Sequence, residues 1–180
     1  MLDIYKNSTI LDAMKYTVAT KVVHRHQELG TSCGAAAVAM LLGRPESEIR
    51  PLVHCTSHGT NNLDVLSFLG KHVAPCHYVT LHADYYDIID DLIALSLKYP
   101  LYCSATYLWK NPGRGRPITR HHASIIVDGM VYDPGETREV DGASYETTFN
   151  KKLTYNHIII VESERPDYLR NFRRHELDCS

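Results

Sequence analysis

No apolar run reaches the roughly 18 residues that a membrane-spanning helix needs, and the longest, Ala35 to Leu42, is bounded by glycine, so no membrane insertion is expected. The opening residues, Met1-Leu-Asp-Ile-Tyr-Lys-Asn, lack the basic-then-apolar order of a secretory signal, and a cytoplasmic location is expected. There is no Cys-x-x-Cys pair. The five cysteines are odd in number and widely spaced, which argues against a disulfide framework and a cysteine-type zinc site. An excess of positive charge is missing too, because 19 Lys and Arg face 21 Asp and Glu, so no nucleic-acid partner is expected. Gly113-Arg-Gly115 has no following Lys-Ser or Lys-Thr, which excludes a phosphate-binding loop. Repeats and low-complexity tracts are absent.

What remains is globular. With 180 residues, 44% hydrophobic and 22% charged, the chain has the size of one domain and can bury roughly 70% of its unfolded surface. We divide it into an N-terminal lead (1–22), a domain (23–162) and a polar C-terminal tail (163–180) that mixes arginines with Tyr168, Leu169, Phe172 and Leu177. Thr31 and Ser32 are placed to cap a helix from Cys33 to Leu42, apolar on every side and hence buried, with Gly43 at the left-handed C-terminal position. Glu46 to Val53 predicts a short helix limited by Pro51, and Leu63 to His72 a third with leucines on one face. A strand from Cys76 to Leu81 and a helix from Tyr86 to Tyr99 follow. Strands are predicted at Leu101–Lys110, His122–Val127, Met130–Tyr132 and Tyr155–Val161, with Asp128-Gly129 as a hairpin turn. Helices first and strands later give an α+β class, a helical half on an antiparallel sheet with a cleft between them.

Cys33 falls at the predicted start of a buried helix, where unpaired N–H groups and the positive end of the dipole favour thiolate. That makes it a candidate nucleophile. Gln27, six positions earlier, can offer its amide to an oxyanion, and Gly34 removes a side chain where substrate would approach. His122 begins a predicted strand, and Asp133 follows the next one, so a tight hairpin would let the carboxylate orient the imidazole. His121 competes for the role, but strand alternation turns the two rings to opposite faces, and the spacing to Asp133 favours His122.

The segment Gln27-Glu-Leu-Gly-Thr-Ser-Cys33-Gly-Ala-Ala-Ala-Val-Ala-Met-Leu-Leu resembles the oxyanion glutamine and nucleophile helix of papain-like cysteine peptidases. It is most similar to the bacteriocin-processing branch, which cleaves leader peptides after a double glycine. The segment Ser47-Glu-Ile-Arg-Pro-Leu-Val, then Gly59-Thr60 and a leucine-bearing helix, resembles the helical region of that branch. His122-Ala-Ser-Ile-Ile-Val-Asp-Gly-Met-Val-Tyr-Asp133-Pro134 resembles its histidine strand and Asp-Pro signature, so the likeness runs from Val23 to Glu162 in order. The resemblance implies a papain-like fold and a peptide or protein substrate; the domain is expected to stand alone, unlike the fused secretory members, and the mechanism requires no cofactor. Cys33 would be the nucleophile, His122 the general base and acid, Asp133 the orienting member and Gln27 the oxyanion donor. The same residues serve an acyl transferase, and a non-catalytic binding module could keep them.

Cys55, Cys76, Cys103 and Cys179 are read as packing or surface thiols. The histidine clusters at His24-Arg-His26, His54-Cys55 with His58, and Cys76-His77 lack the spacing of a zinc motif. Lys110 to Arg120 holds four positive charges before the proposed base. It reads as a solvated connection, or as a flap on which Arg114 and Arg116 meet an acidic substrate group.

Overall fold

The computed structural model describes residues 16–81, 88–109, 118–149 and 153–163. Helix α1 (Cys33–Leu42) is followed by α2 (Glu46–Leu52), α3 (Asn62–His72), strand β1 (Cys76–Thr80) and α4 (Ile89–Ser96). Strands β2 (Leu101–Trp109), β3 (Ile118–Val127), β4 (Met130–Tyr132) and β5 (Val140–Asp141) come next. A 3-10 turn (Gly142–Ser144), α5 (Tyr145–Phe149) and β6 (Thr154–Val161) complete the order. The strands form one six-stranded sheet, β1-β6-β2-β3-β4-β5, in which every neighbouring pair is antiparallel. The class is α+β, as the order of elements predicts. No helix among the described residues is long and apolar enough to cross a membrane.

Helix α1 is the centre of one core. Every residue from Gly34 to Leu42 is buried, and the alanines let α1 lie close to β3 and to α2. Gly43 ends it with φ 64°, and its N–H and that of Arg44 return to the Met40 and Ala39 carbonyls. Tyr102, Ala123, Ile125, Val127, Ile159 and Val161 form the sheet's side of this core. A second core lies on the other face of the sheet, where Leu101, Cys103, Ile126, Val131 and Ile158 meet Leu92 of α4 and Tyr145 of α5. Both sheet faces are therefore covered, which accounts for the continuously buried run from His122 to Val127.

Three boundaries move. Residues 16–22 of the expected lead belong to the first core: Tyr16 and Val22 are buried, and the Tyr16 and Ala19 amides donate to His72 and Leu41. Strand β3 starts at Ile118, not at His122, because its first residues pair with Leu108 and Trp109 of β2. Arg120 is thus a strand residue opposite Tyr107. Helix α4 spans only Ile89–Ser96 of the predicted Tyr86–Tyr99, with residues 82–87 outside the described set. Its last residue bonds the hairpin: Ser96 Oγ donates to Ile93 O at 2.7 Å and accepts from Gly129 N at 2.9 Å.

Candidate active site

Cys33 is the first residue of α1, and Ser32 stands at the N-cap position without capping it through its side chain. Its hydroxyl is turned back to Leu29, accepting from Leu29 N at 3.1 Å and donating to Leu29 O at 2.9 Å. The sequence predicts a cap here. A backbone donor that a cap would occupy is left to the thiol instead: Gly34 of α1 supplies a backbone hydrogen bond to Cys33, and Ala123 of the neighbouring β3 supplies a second. No acidic residue lies in the first turn to compete for the dipole.

His122 supplies the remaining contact. Burial pushes the Cys33 thiol up, but a hydrogen bond to His122 and the charge of its ring outweigh it, and the thiol lies below the ordinary cysteine range. The other cysteines with a resolved shift go the opposite way. Burial and the nearby Glu162 push Cys76 up to about 11, and burial alone raises Cys103 well above the usual value. The adjacent histidines are also separated as alternation predicts, with His122 buried and His121 exposed.

Asp133 completes the arrangement. It is fully buried just after β4, and its Oδ1 holds His122 Nε2, which leaves Nδ1 as the ring nitrogen for the thiol. Oδ1 also accepts from Gly135 N at 2.7 Å, and Oδ2 accepts from the Tyr145 hydroxyl. A buried carboxylate needs such donors, because each unmet lone pair leaves its desolvation uncompensated. Burial, then the Asp133 charge and hydrogen bond, hold the Tyr145 phenol far above its ordinary value, so it stays a donor. Gly135 permits the close approach, since a Cβ there would stand 3.1 Å from His122 Cε1 and 3.2 Å from Asp133 Oδ1. Tyr107 of β2 meets the His122 ring edge-on, centroids 6.0 Å apart.

Gln27 is tied to the same place. Its backbone N–H donates to Pro134 O at 2.9 Å, His24 Nε2 donates to Asp133 O at 2.9 Å, and His26 Nδ1 donates to Pro134 O at 2.7 Å. The Gln27 amide donates from Nε2 to Leu29 O at 2.8 Å, while its Oε1 is buried without a partner. These bonds also give His24 and His26 a different use from metal ligation. Likewise His54 pairs with Asp64 at 3.4 Å and His77 with Glu162 at 2.6 Å.

Gly34 departs from its expected use. It is buried, and a Cβ would meet Thr60 Cβ at 2.8 Å and the Tyr102 hydroxyl at 3.1 Å, so the missing side chain serves contact between α1 and its neighbours and opens no path to solvent. Arg114 and Arg116 lie outside the described residues, as does Cys179. Sequence reasoning missed Tyr145, Gly135 and the two histidines of the 24–27 arm. Gly135 carried a signal, standing two residues after Asp133; Tyr145 carried none, because its role depends on a chain reversal through β5.

A scan against protein-family models finds no match for the chain, and no curated protein matches it.

Proposed function

We propose that this chain is a thiol-dependent hydrolase of papain-like fold that cleaves a peptide or other amide bond, working in a reducing, cytoplasmic setting. The observation that carries the reading is the linked set Cys33–His122–Asp133, in which a helix-terminal thiol is acidified by a histidine that a buried carboxylate holds. The family resemblance of the Gln27–Leu42 and His122–Pro134 segments supports it.

In the reaction the Cys33 sulfur attacks the substrate carbonyl carbon, and the π pair moves onto oxygen. Backbone N–H groups at the start of α1 and the second Nε2 hydrogen of Gln27 stabilise that charge; Leu29 O takes the first. His122, protonated in the resting pair, gives its proton to the leaving amine as the C–N bond breaks. Water then adds to the thioester with His122 as base, releasing the acid and restoring the pair. Asp133 keeps the ring oriented and balances its charge throughout.

The test is alkylation of Cys33 by iodoacetamide against pH. The wild type should inflect below the ~8.5 of a free thiol, and His122→Ala should move the inflection to that value or above, because burial is then opposed only by backbone bonds. A wild-type thiol that alkylates like free cysteine overturns the reading. Cleaved termini compared between cells making the wild type and Cys33→Ala would report the substrate; identical termini beside an acidic thiol favour the binding module.

A further inference from the structure

Glu46 is a carboxylate in the wrong place for an ordinary surface acid. It opens α2, where an acid suits the helix dipole, but Glu48 in the same turn provides that charge from a half-buried position. Glu46 is only 6% exposed, and a carboxylate so buried needs a strong donor. The donor is the backbone N–H of Glu28, the residue directly after Gln27, which bonds Glu46 Oε2 at 2.8 Å. Arg50, one turn along α2, closes the arrangement from outside, with Nη2 3.1 Å from the Glu28 carboxylate and Nε 4.0 Å from Glu46 Oε1.

That amide begins the loop between Gln27 and Cys33. The carbonyl of the following residue, Leu29 O, accepts from Gln27 Nε2, from the Ser32 hydroxyl and from Ser32 N. The direction of the Gln27 amide is therefore set by where Leu29 O stands, and the peptide leading to Leu29 is fixed by Glu46 on one side and Ser32 on the other. We propose that Glu46 is a positioning residue for Gln27: through the Glu28 amide it holds the loop in the shape that aims the glutamine amide at the oxygen of the attacked carbonyl. The role rests on the thiol-hydrolase reading and adds to it a residue that never touches substrate.

Two probes of the same thiol separate this role from general damage. p-Nitrophenyl acetate acylates Cys33 through a tetrahedral oxyanion: the C–S bond forms, charge gathers on the carbonyl oxygen, and p-nitrophenolate leaves as the C–O bond breaks. Iodoacetamide alkylates the same sulfur by displacement of iodide and needs no oxyanion donor. Gln27→Ala should slow acylation about 100-fold and leave alkylation unchanged. Glu46→Ala should slow acylation about 10-fold with alkylation unchanged, and Glu46→Gln, which keeps an acceptor for the Glu28 amide, should restore it to within about threefold of wild type. Glu46→Asp keeps the charge but falls short of the amide, and should behave as Glu46→Ala; it carries the test should Glu46→Ala fail to fold. In the Gln27→Ala background, Glu46→Ala or Glu46→Asp should cost nothing further.

Acylation unchanged in Glu46→Asp, or slowed in step with alkylation, overturns the positioning role while the thiol-hydrolase reading stands. Failure of Glu46→Gln to recover overturns it as well. Wild-type acylation no faster than that of free cysteine overturns the hydrolase reading, and the role of Glu46 with it.

Discussion

Asp133 keeps both oxygens bonded inside the protein, and one of its donors, Tyr145, reaches it from a short helix twelve residues further on. Tyr145→Phe removes a single hydroxyl and leaves Oδ2 of a buried carboxylate short of a donor. It should lower stability by about 1–3 kcal/mol in urea unfolding. Esterase acylation should fall about tenfold as the His122 ring loses its fixed partner, while alkylation of Cys33 remains dependent on His122. Full stability and full rate in Tyr145→Phe would remove Tyr145 from the site. At this scale the sequence was most informative where chemistry is local: Cys33 at a helix start, and His122 and Asp133 on either side of one hairpin. It was silent on Tyr145, Glu46, His24 and His26, whose roles depend on which backbone groups fold against them. Ser32 shows the same limit, since its hydroxyl had two local carbonyl and amide partners and only the folded loop selects Leu29 over the helix.

Helices α1, α2 and α3 and the β3–β4 hairpin were legible from apolar composition, Gly43 and Asp128-Gly129, and Gly129 takes φ 77°. The face of α3 was not, since Val65, Phe68 and Leu69 are buried while Leu63 is exposed, and the cap, in which Asn61 Oδ1 accepts from Leu63 N, is seen in the structure. Strand β5 and helix α5 were not, being two and five residues long and held by long-range contacts. The packing of α4 and α5 on the far face of the sheet was equally hidden, since a buried strand reads alike whichever element covers each side. One element-scale prediction concerns the seat of α1. Gly34→Ala would press a methyl group onto Thr60, with its Cβ 2.8 Å from that of Thr60. The helix start has to move, at a cost of about 1–3 kcal/mol. Cys33 should move with it, so the thiol's inflection should rise toward the free-cysteine value although position 34 touches no substrate. An unchanged inflection and an unchanged unfolding midpoint would show that the junction yields without strain.

Across the molecule, buried acids of raised pKa gather around the sheet. Burial, first among the causes, lifts Tyr102, Tyr145, Tyr155 and Cys103 above their ordinary values. In the unfolded chain the cysteine loses its proton near ~8.5 and the tyrosines near ~10, while the folded state retains them. Above those values the unfolded state binds fewer protons, so stability falls with rising pH, by about 1.4 kcal/mol per pH unit for each group titrated. Cys33 acts in the opposite sense: its lowered value stabilises the fold fully above the unfolded ~8.5 and stops doing so as pH falls through its folded value. The urea midpoint should therefore drop steeply between about pH 9 and 11. A midpoint that holds through pH 11 would mean that these groups reach solvent.

The bonds from His24 to Asp133 and from His26 to Pro134 join residues 109 and 108 positions apart. A ribosome therefore makes the 24–27 arm, and α1 behind it, long before the hairpin residues that they meet. During that interval Cys33 lacks the His122 hydrogen bond and ring charge that lower its thiol pKa. The acidity of the thiol therefore arrives late in synthesis, with the hairpin that carries His122 and Asp133.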